Sequence, residues 1–139
     1  MNKLPIHLAL HGVLVLTISL LGGLFLYKAI LKNKKTADWH LLHAGGSARG
    51  ILLIALAAII HMPVLPLWQL STAAWLTIFF VWTSTIAMVL RAVSGAPGFK
   101  WSSSGTNKLI YVLYVSGTIA IFPACLLFTY GLFKALLIV

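Results

Sequence analysis

The sequence predicts an all-α integral membrane protein: a four-helix transmembrane bundle with both termini on the non-cytoplasmic side. Three observations predict it. The 139 residues are 61% hydrophobic and only 8% charged, against about 25% charged in ordinary soluble domains. Four stretches, about 6–30, 41–60, 67–90 and 109–137, approach or exceed the roughly 20 apolar residues that cross hydrocarbon. The cations gather at span ends. Lys28, Lys32, Lys34, Lys35 and Arg49 flank the first connection, and Arg91, Lys100 and Lys108 flank the third, whereas only Lys3 and Lys134 lie toward the other side. The positive-inside rule therefore places connections one and three in the cytoplasm. The spans consume nearly the whole chain, so residues 1–139 read as a single transmembrane domain.

In a soluble protein the net charge of +9 would point to nucleic acid. Here topology accounts for it, and the expected partners are the lipid bilayer and a small apolar molecule, with no nucleic acid. Span one opens at Pro5, a favourable first helical residue. His7 and His11 share a face near its outer end, and Gly22-Gly23 allows close packing toward the inner end. Lys3 precedes a long apolar run without a small-residue cleavage site, so this span is read as retained. Thr36 or Asp38 is the expected N-cap of span two. His40 and His61 lie at its opposite ends, roughly 30 Å apart, so the five histidines split into an inner pair, His40 and His43, and an outer group, His7, His11 and His61.

The tight connection Met62-Pro63-Val64-Leu65-Pro66 stops one helix and permits the next. In span three, Trp68 suits an interfacial anchor, and Trp75 and Trp82 are seven apart on one face. The third connection, from Ser94 to Thr106, is long enough either to cover a site or to be a simple connector. Span four carries Pro123, an expected kink, and Cys125, the single cysteine, which reads as small apolar filler.

The stretch Trp39-His40-Leu41-Leu42-His43-Ala44-Gly45-Gly46-Ser47-Ala48-Arg49-Gly50 organises the functional reading. On a helix, His43, Gly46, Ser47 and Gly50 share one face. A histidine above a face without side chains can ligate a metal while something flat, such as a haem, lies close to the backbone. The same spacing, Gly46-xxx-Gly50 and Ala44-xxx-Ala48, also serves close approach of two membrane helices. No acid falls inside the predicted spans, and no CxxC, P-loop, dinucleotide fingerprint, HExxH or acid–histidine–serine set is present. That inventory favours a cofactor that carries the chemistry and a protein that places it. Two site hypotheses follow. One is a non-covalent b-type haem near the cytoplasmic surface, ligated by His43, with Arg49 and nearby lysines on its propionates. The other is a metal ion held by His7, His11 and His61, against which the preferred reading is three interfacial histidines with unrelated roles.

These residues resemble the styrene oxide isomerase family. The resemblance rests on His11-Gly12, Gly23 and Tyr27 in span one, on Trp39, His43 and Gly50 in span two, and on Trp82, Ser94 and Gly98 beyond. It runs from span one into the third connection and weakens in span four. It implies a homotrimer in a bacterial inner membrane, with ferric haem b near subunit interfaces and His43 as axial ligand. Trp39, Gly46, Arg49 and Gly50 join the cofactor-binding set, and Met88 and Trp82 are pocket candidates. In that family an open face of the iron acts as Lewis acid on an epoxide, which rearranges to the aldehyde. The chain departs from the family pattern at Arg49, where the family has asparagine, and at Met88, where it has tyrosine. The alternative is a haem protein of the same fold that does not isomerise: a sensor, carrier or electron-transfer unit. A structural subunit without cofactor is the third reading.

Overall fold

The structure is a computed structural model that describes residues 3–99, 101 and 104–138. Every regular element among them is helical: α1 (Leu4–Leu31), α2 (Ala37–Ile59), α3 (Leu67–Ser94) and α4 (Gly105–Ile138). All four are long and apolar enough to cross a membrane, as the hydropathy pattern requires. α1 and α3 have 28 residues each, roughly 42 Å of helix. They overrun a hydrocarbon core of about 30 Å and carry Lys28 and Arg91 in their last turns. Lys100, one of the topology markers, lies outside the described residues.

The helices are not equivalent. α1 packs along α2, and α3 packs along α4. α3 also touches α1 and α2, whereas among the described residues α4 makes no close backbone approach to either. α3 is therefore central: 56% of its apolar window is buried, against 22–28% for the other three. Leu8, Val15, Leu53, Ile78 and Val81 form the shared core of the first three helices. Large apolar residues such as Leu10, Phe25, Ile119, Phe122 and Leu126 remain exposed. That is the surface a hydrocarbon solvent accepts.

Small residues set the α1–α2 seam. A Cβ on Gly12 would lie 2.8 Å from the Gly50 carbonyl oxygen, and one on Gly50 would lie 2.8 Å from that of Gly12. The two backbones are in contact, which only glycine permits. Gly22 receives Leu42, and Gly46 receives Ser19. So Leu42, Gly46 and Gly50 face successive turns of α1 in antiparallel order. A π-helical turn, Leu41–Gly45, lies inside α2 and carries His43. Such wide turns recur at functional sites.

The expected cap of α2 resolves in one way only. Thr36 occupies the N-cap position without a side-chain hydrogen bond. Asp38 lies inside the first turn and is buried, so the expectation that no acid falls within a span is corrected. α3 begins after Pro66 and ends at Gly95, whose φ of 71° lets its N–H reach the Arg91 carbonyl at 2.8 Å. The tight second connection is pinned to α4 by Val64 N–H on the Gly131 carbonyl, 3.0 Å. α4 continues as helix through Pro123.

Candidate functional site

His43 sits at the edge of the α1–α2 seam, half-buried. Its Nδ1 is 3.1 Å from the carbonyl oxygen of Ser19 on α1. A carbonyl only accepts, so the proton is on Nδ1, and Nε2 keeps a free lone pair. The ring lies against Gly23, where a Cβ would come within 2.8 Å of Nδ1. This is the support that metal-ligating histidines commonly have: one nitrogen fixed by a carbonyl, the other available. Ser47, one turn on, has a buried Oγ without a hydrogen-bond partner among the described residues.

The small-residue stretch divides into two stripes. Gly46 and Gly50 are filled by Ser19, Gly12 and Leu16 of α1. Helix packing thus takes the space that the sequence reading left for a flat group, and His43 does not share an open face with these glycines. Ala44 and Ala48 are exposed instead, within a turn or so of His43 along α2. The outward stripe beside the imidazole is therefore the alanine one.

Trp39 is half-buried and stacks on Phe25, ring centroids 4.9 Å apart. It lines an apolar cavity of about 460 Å³ with Gly22, Leu42, Val89 and Ala92. His43 is not among the residues lining it.

Arg49 lies elsewhere. Six residues of helix turn it roughly 240° from His43, toward α3. Nη1 donates to the Gly45 carbonyl at 2.8 Å and to Met88 Sδ at 3.8 Å, and the guanidinium sits 5.5 Å from the Phe80 ring centroid. Gly45 makes this possible, since a Cβ there would lie 3.0 Å from Nη1 and 3.3 Å from Sδ. Within the protomer Arg49 therefore faces another side of α2 than His43. The two positions that depart from the family pattern, Arg49 and Met88, instead touch each other.

Nearer the lysine-rich end, Arg91 Nη2 donates to Asp38 Oδ1 at 2.8 Å, and Lys35 approaches the other oxygen at 3.4 Å. The third connection folds over this pair. Gly98 N–H donates to Asn107 Oδ1 at 2.7 Å. Phe99 lies 4.6 Å from the Arg91 guanidinium and stacks on Tyr114 at 5.0 Å. The Tyr114 hydroxyl lies among Arg91, Arg49 and Asp38 without forming a well-aligned hydrogen bond. The described part of the loop thus lies over the Asp38–Arg91 pair through Phe99. Tyr114, Phe80 and the Asp38–Arg91 pair were not singled out from sequence. The last had a signal: a lone acid beside a membrane must find a cation.

The outer histidines do not form a metal site. Trp82 Nε1 donates to His11 Nδ1 at 3.0 Å, so the His11 proton sits on Nε2 and neither nitrogen offers a lone pair. His7 stacks on His11 at 6.4 Å, and Trp75 contacts both. His61 is exposed. Among the described residues no three His, Cys, Asp or Glu side chains converge. His7 and His11 thus belong to an aromatic–histidine cluster and not to a three-histidine metal site, in line with the preferred reading of these residues. Trp82, a pocket candidate, belongs to this cluster, so two of the residues that carry the resemblance bond to each other.

The donor set at His43 fits a haem: an imidazole whose Nδ1 faces a carbonyl and so turns Nε2 outward, an adjacent surface of alanines, and apolar surroundings. The family model for styrene oxide isomerase matches residues 6–133. The chain belongs to that family. A comparison with curated proteins found no match. Membership covers α1 to most of α4, so the His43 edge and the Arg49–Met88 contact are both features of a family member.

Proposed function

We propose that this protein binds haem b through His43 and isomerises a small apolar epoxide to the corresponding aldehyde. The observation that carries the reading is the His43 Nδ1 contact with the Ser19 carbonyl, 3.1 Å, which leaves Nε2 as a ligand. Family membership supports the reaction class. When bound there, ferric haem supplies a Lewis acid toward an epoxide oxygen. The chain contributes the rest. The Ser19 carbonyl and Gly23 fix the imidazole plane. Ala44 and Ala48 leave room beside it. The apolar flanks admit an epoxide from the bilayer and keep away water, the nucleophile that would give a diol instead. His43 at an exposed edge fits a site completed by a second copy, and a homotrimer is part of this proposal. So is a bacterial inner-membrane location, with the lysine-rich end and the haem site toward the cytoplasm.

A second reading, a haem protein that senses, carries or transfers electrons, is favoured by one observation. Arg49 and Met88 are bonded to each other, and neither replaces the neutral polar groups of the family pattern. Visible spectra of the detergent-purified protein, oxidised and reduced, beside His43→Ala, test the shared premise. A Soret band lost in the variant is expected. No Soret band after haem is supplied during expression overturns both readings. Styrene oxide then separates them: aldehyde formation supports the isomerase, and six-coordinate ferric iron without turnover supports the second reading.

A further inference from the structure

We infer that the groove between α2 and α4 binds a carboxylate-headed amphiphile, with Arg49 as the receptor for the head. The inference does not depend on haem at His43, which faces another side of α2.

Charge comes first. Arg49 is the twelfth residue after Ala37, roughly 18 Å along α2, well inside the span. A guanidinium at that depth marks function by default. Its contacts are a carbonyl, a thioether and a phenyl ring, and its buried Nε has no partner among the described residues. Asp38 is the chain's only acid, and Arg91 and Lys35 hold it. The chain therefore has no side-chain anion left for Arg49. Among the described residues, the buried polar side-chain atoms without a hydrogen-bond partner include Nε of Arg49 and Nε and Nη1 of Arg91. A planar fork with free N–H groups matches a carboxylate.

Shape comes second. α2 and α4 do not approach closely among the described residues, so α3 forms the floor of a groove between them. One turn on from Arg49 the groove holds an apolar furrow of about 180 Å³, lined by Leu52, Leu56, Ile121, Cys125, Phe128 and Leu132. Ile121 to Leu132 is roughly 16 Å of helix. A cationic head at one level and an apolar furrow beyond it complement a medium-length chain ending in a carboxylate.

The test uses the whole protein in phosphatidylcholine nanodiscs, with decanoate and decanol as probes and native mass spectrometry as readout. One decanoate per protomer is expected. Its affinity should fall at least tenfold in Arg49→Gln and less in Arg49→Lys, while decanol does not distinguish the variants. Leu52→Trp, which fills the furrow and keeps the cation, should weaken decanoate as well, so the inference remains testable if Arg49→Gln does not fold. Equal binding of decanoate and decanol, or decanoate binding indifferent to both substitutions, overturns the inference. Displacement of decanoate by an equal concentration of phosphatidylglycerol overturns it too, because the site would then select a lipid phosphate. The Soret band of each variant is recorded in parallel, so loss of haem and loss of the carboxylate are read separately.

Discussion

Arg49 on α2 donates to the thioether of Met88 on α3 at 3.8 Å, which joins the two positions at which this chain departs from the family pattern. Met88 is almost fully buried, 1% exposed, so a tyrosine there alone overpacks the site at a cost of about 1–3 kcal/mol. Shortening Arg49 to asparagine frees the volume. Arg49→Asn with Met88→Tyr is expected to convert styrene oxide to aldehyde at least tenfold faster than the unmodified protein, with Met88→Tyr alone less stable than the pair. Aldehyde formation and the Soret band are measured together. Within the protomer the two residues face away from His43, so an unchanged rate in a haem-loaded double variant would show that they do not complete an epoxide pocket across the proposed subunit interface.

The two small-residue stripes of α2 predict opposite behaviour. Gly50 meets the backbone of Gly12 and Leu16, so Gly50→Val forces the seam apart and lowers stability by about 1–3 kcal/mol. Ala48 is exposed, so Ala48→Val leaves the melting temperature unchanged and instead lowers haem retention or oligomer size. Melting and size-exclusion profiles in detergent decide. Equal melting temperatures for the two variants would mean that Gly50 does not hold the seam.

Asp38 neutralises Arg91 in a half-buried setting, the side chains being 9% and 14% exposed. Asp38→Asn strands the guanidinium, and a cost of about 3–5 kcal/mol is expected for breaking one side of such a pair. Arg91→Met in the same background should restore much of it, because two uncharged partners leave no orphaned charge. A double-mutant cycle on thermal unfolding measures the coupling, and additive losses would show that the pair is not coupled.

How much of this was legible follows from what membranes force on a sequence. The four spans were readable because hydrocarbon demands continuous apolar runs, and the helices extend that reading into the interface. His43 drew attention through its small neighbours, but its setting did not follow from them: a helix wheel does not say which neighbour fills a stripe of glycines. Gly46 and Gly50 went to α1 because Gly12, Gly22 and Ser19 present a matching small face. The π-helical turn that carries His43 has no sequence signature. Arg49 stood out as a cation at span level, but its partner did not: six residues of spacing set it on another face of α2 than His43, toward Met88. The outer histidines looked like ligands by type, and the Trp82 N–H on His11 shows why type is not enough.

That Trp82–His11 bond gives a prediction of its own. His11 is expected as the neutral tautomer with its proton on Nε2, readable in the ¹⁵N shifts of its ring. Trp82→Phe removes the donor and leaves a partly buried acceptor unpaired, at a cost of about 1–3 kcal/mol. Zinc should bind the unmodified protein no more tightly than a His7→Ala, His11→Ala variant. Zinc affinity that falls in that variant would restore the ligand reading of this pair.

Gly23 offers the sharpest test of the His43 geometry, because the residue it supports is on another helix. A methyl at Gly23 would lie 2.8 Å from His43 Nδ1 and 3.0 Å from Cε1, so the ring must turn away from the Ser19 carbonyl. Losing that carbonyl frees the tautomer and the plane of the imidazole, and partners of this kind typically change metal affinity 10- to 100-fold. Within α1 itself, alanine is the better helix former by about 1 kcal/mol, so the fold has no local reason to fail. Gly23→Ala is therefore expected to keep its helicity while its haem occupancy falls at least tenfold or its Soret band shifts. An unaltered Soret band would show that the Ser19 contact does not orient the ligand. Lost helicity would mean that Gly23 serves the α1–α2 seam in the way Gly12 and Gly50 do.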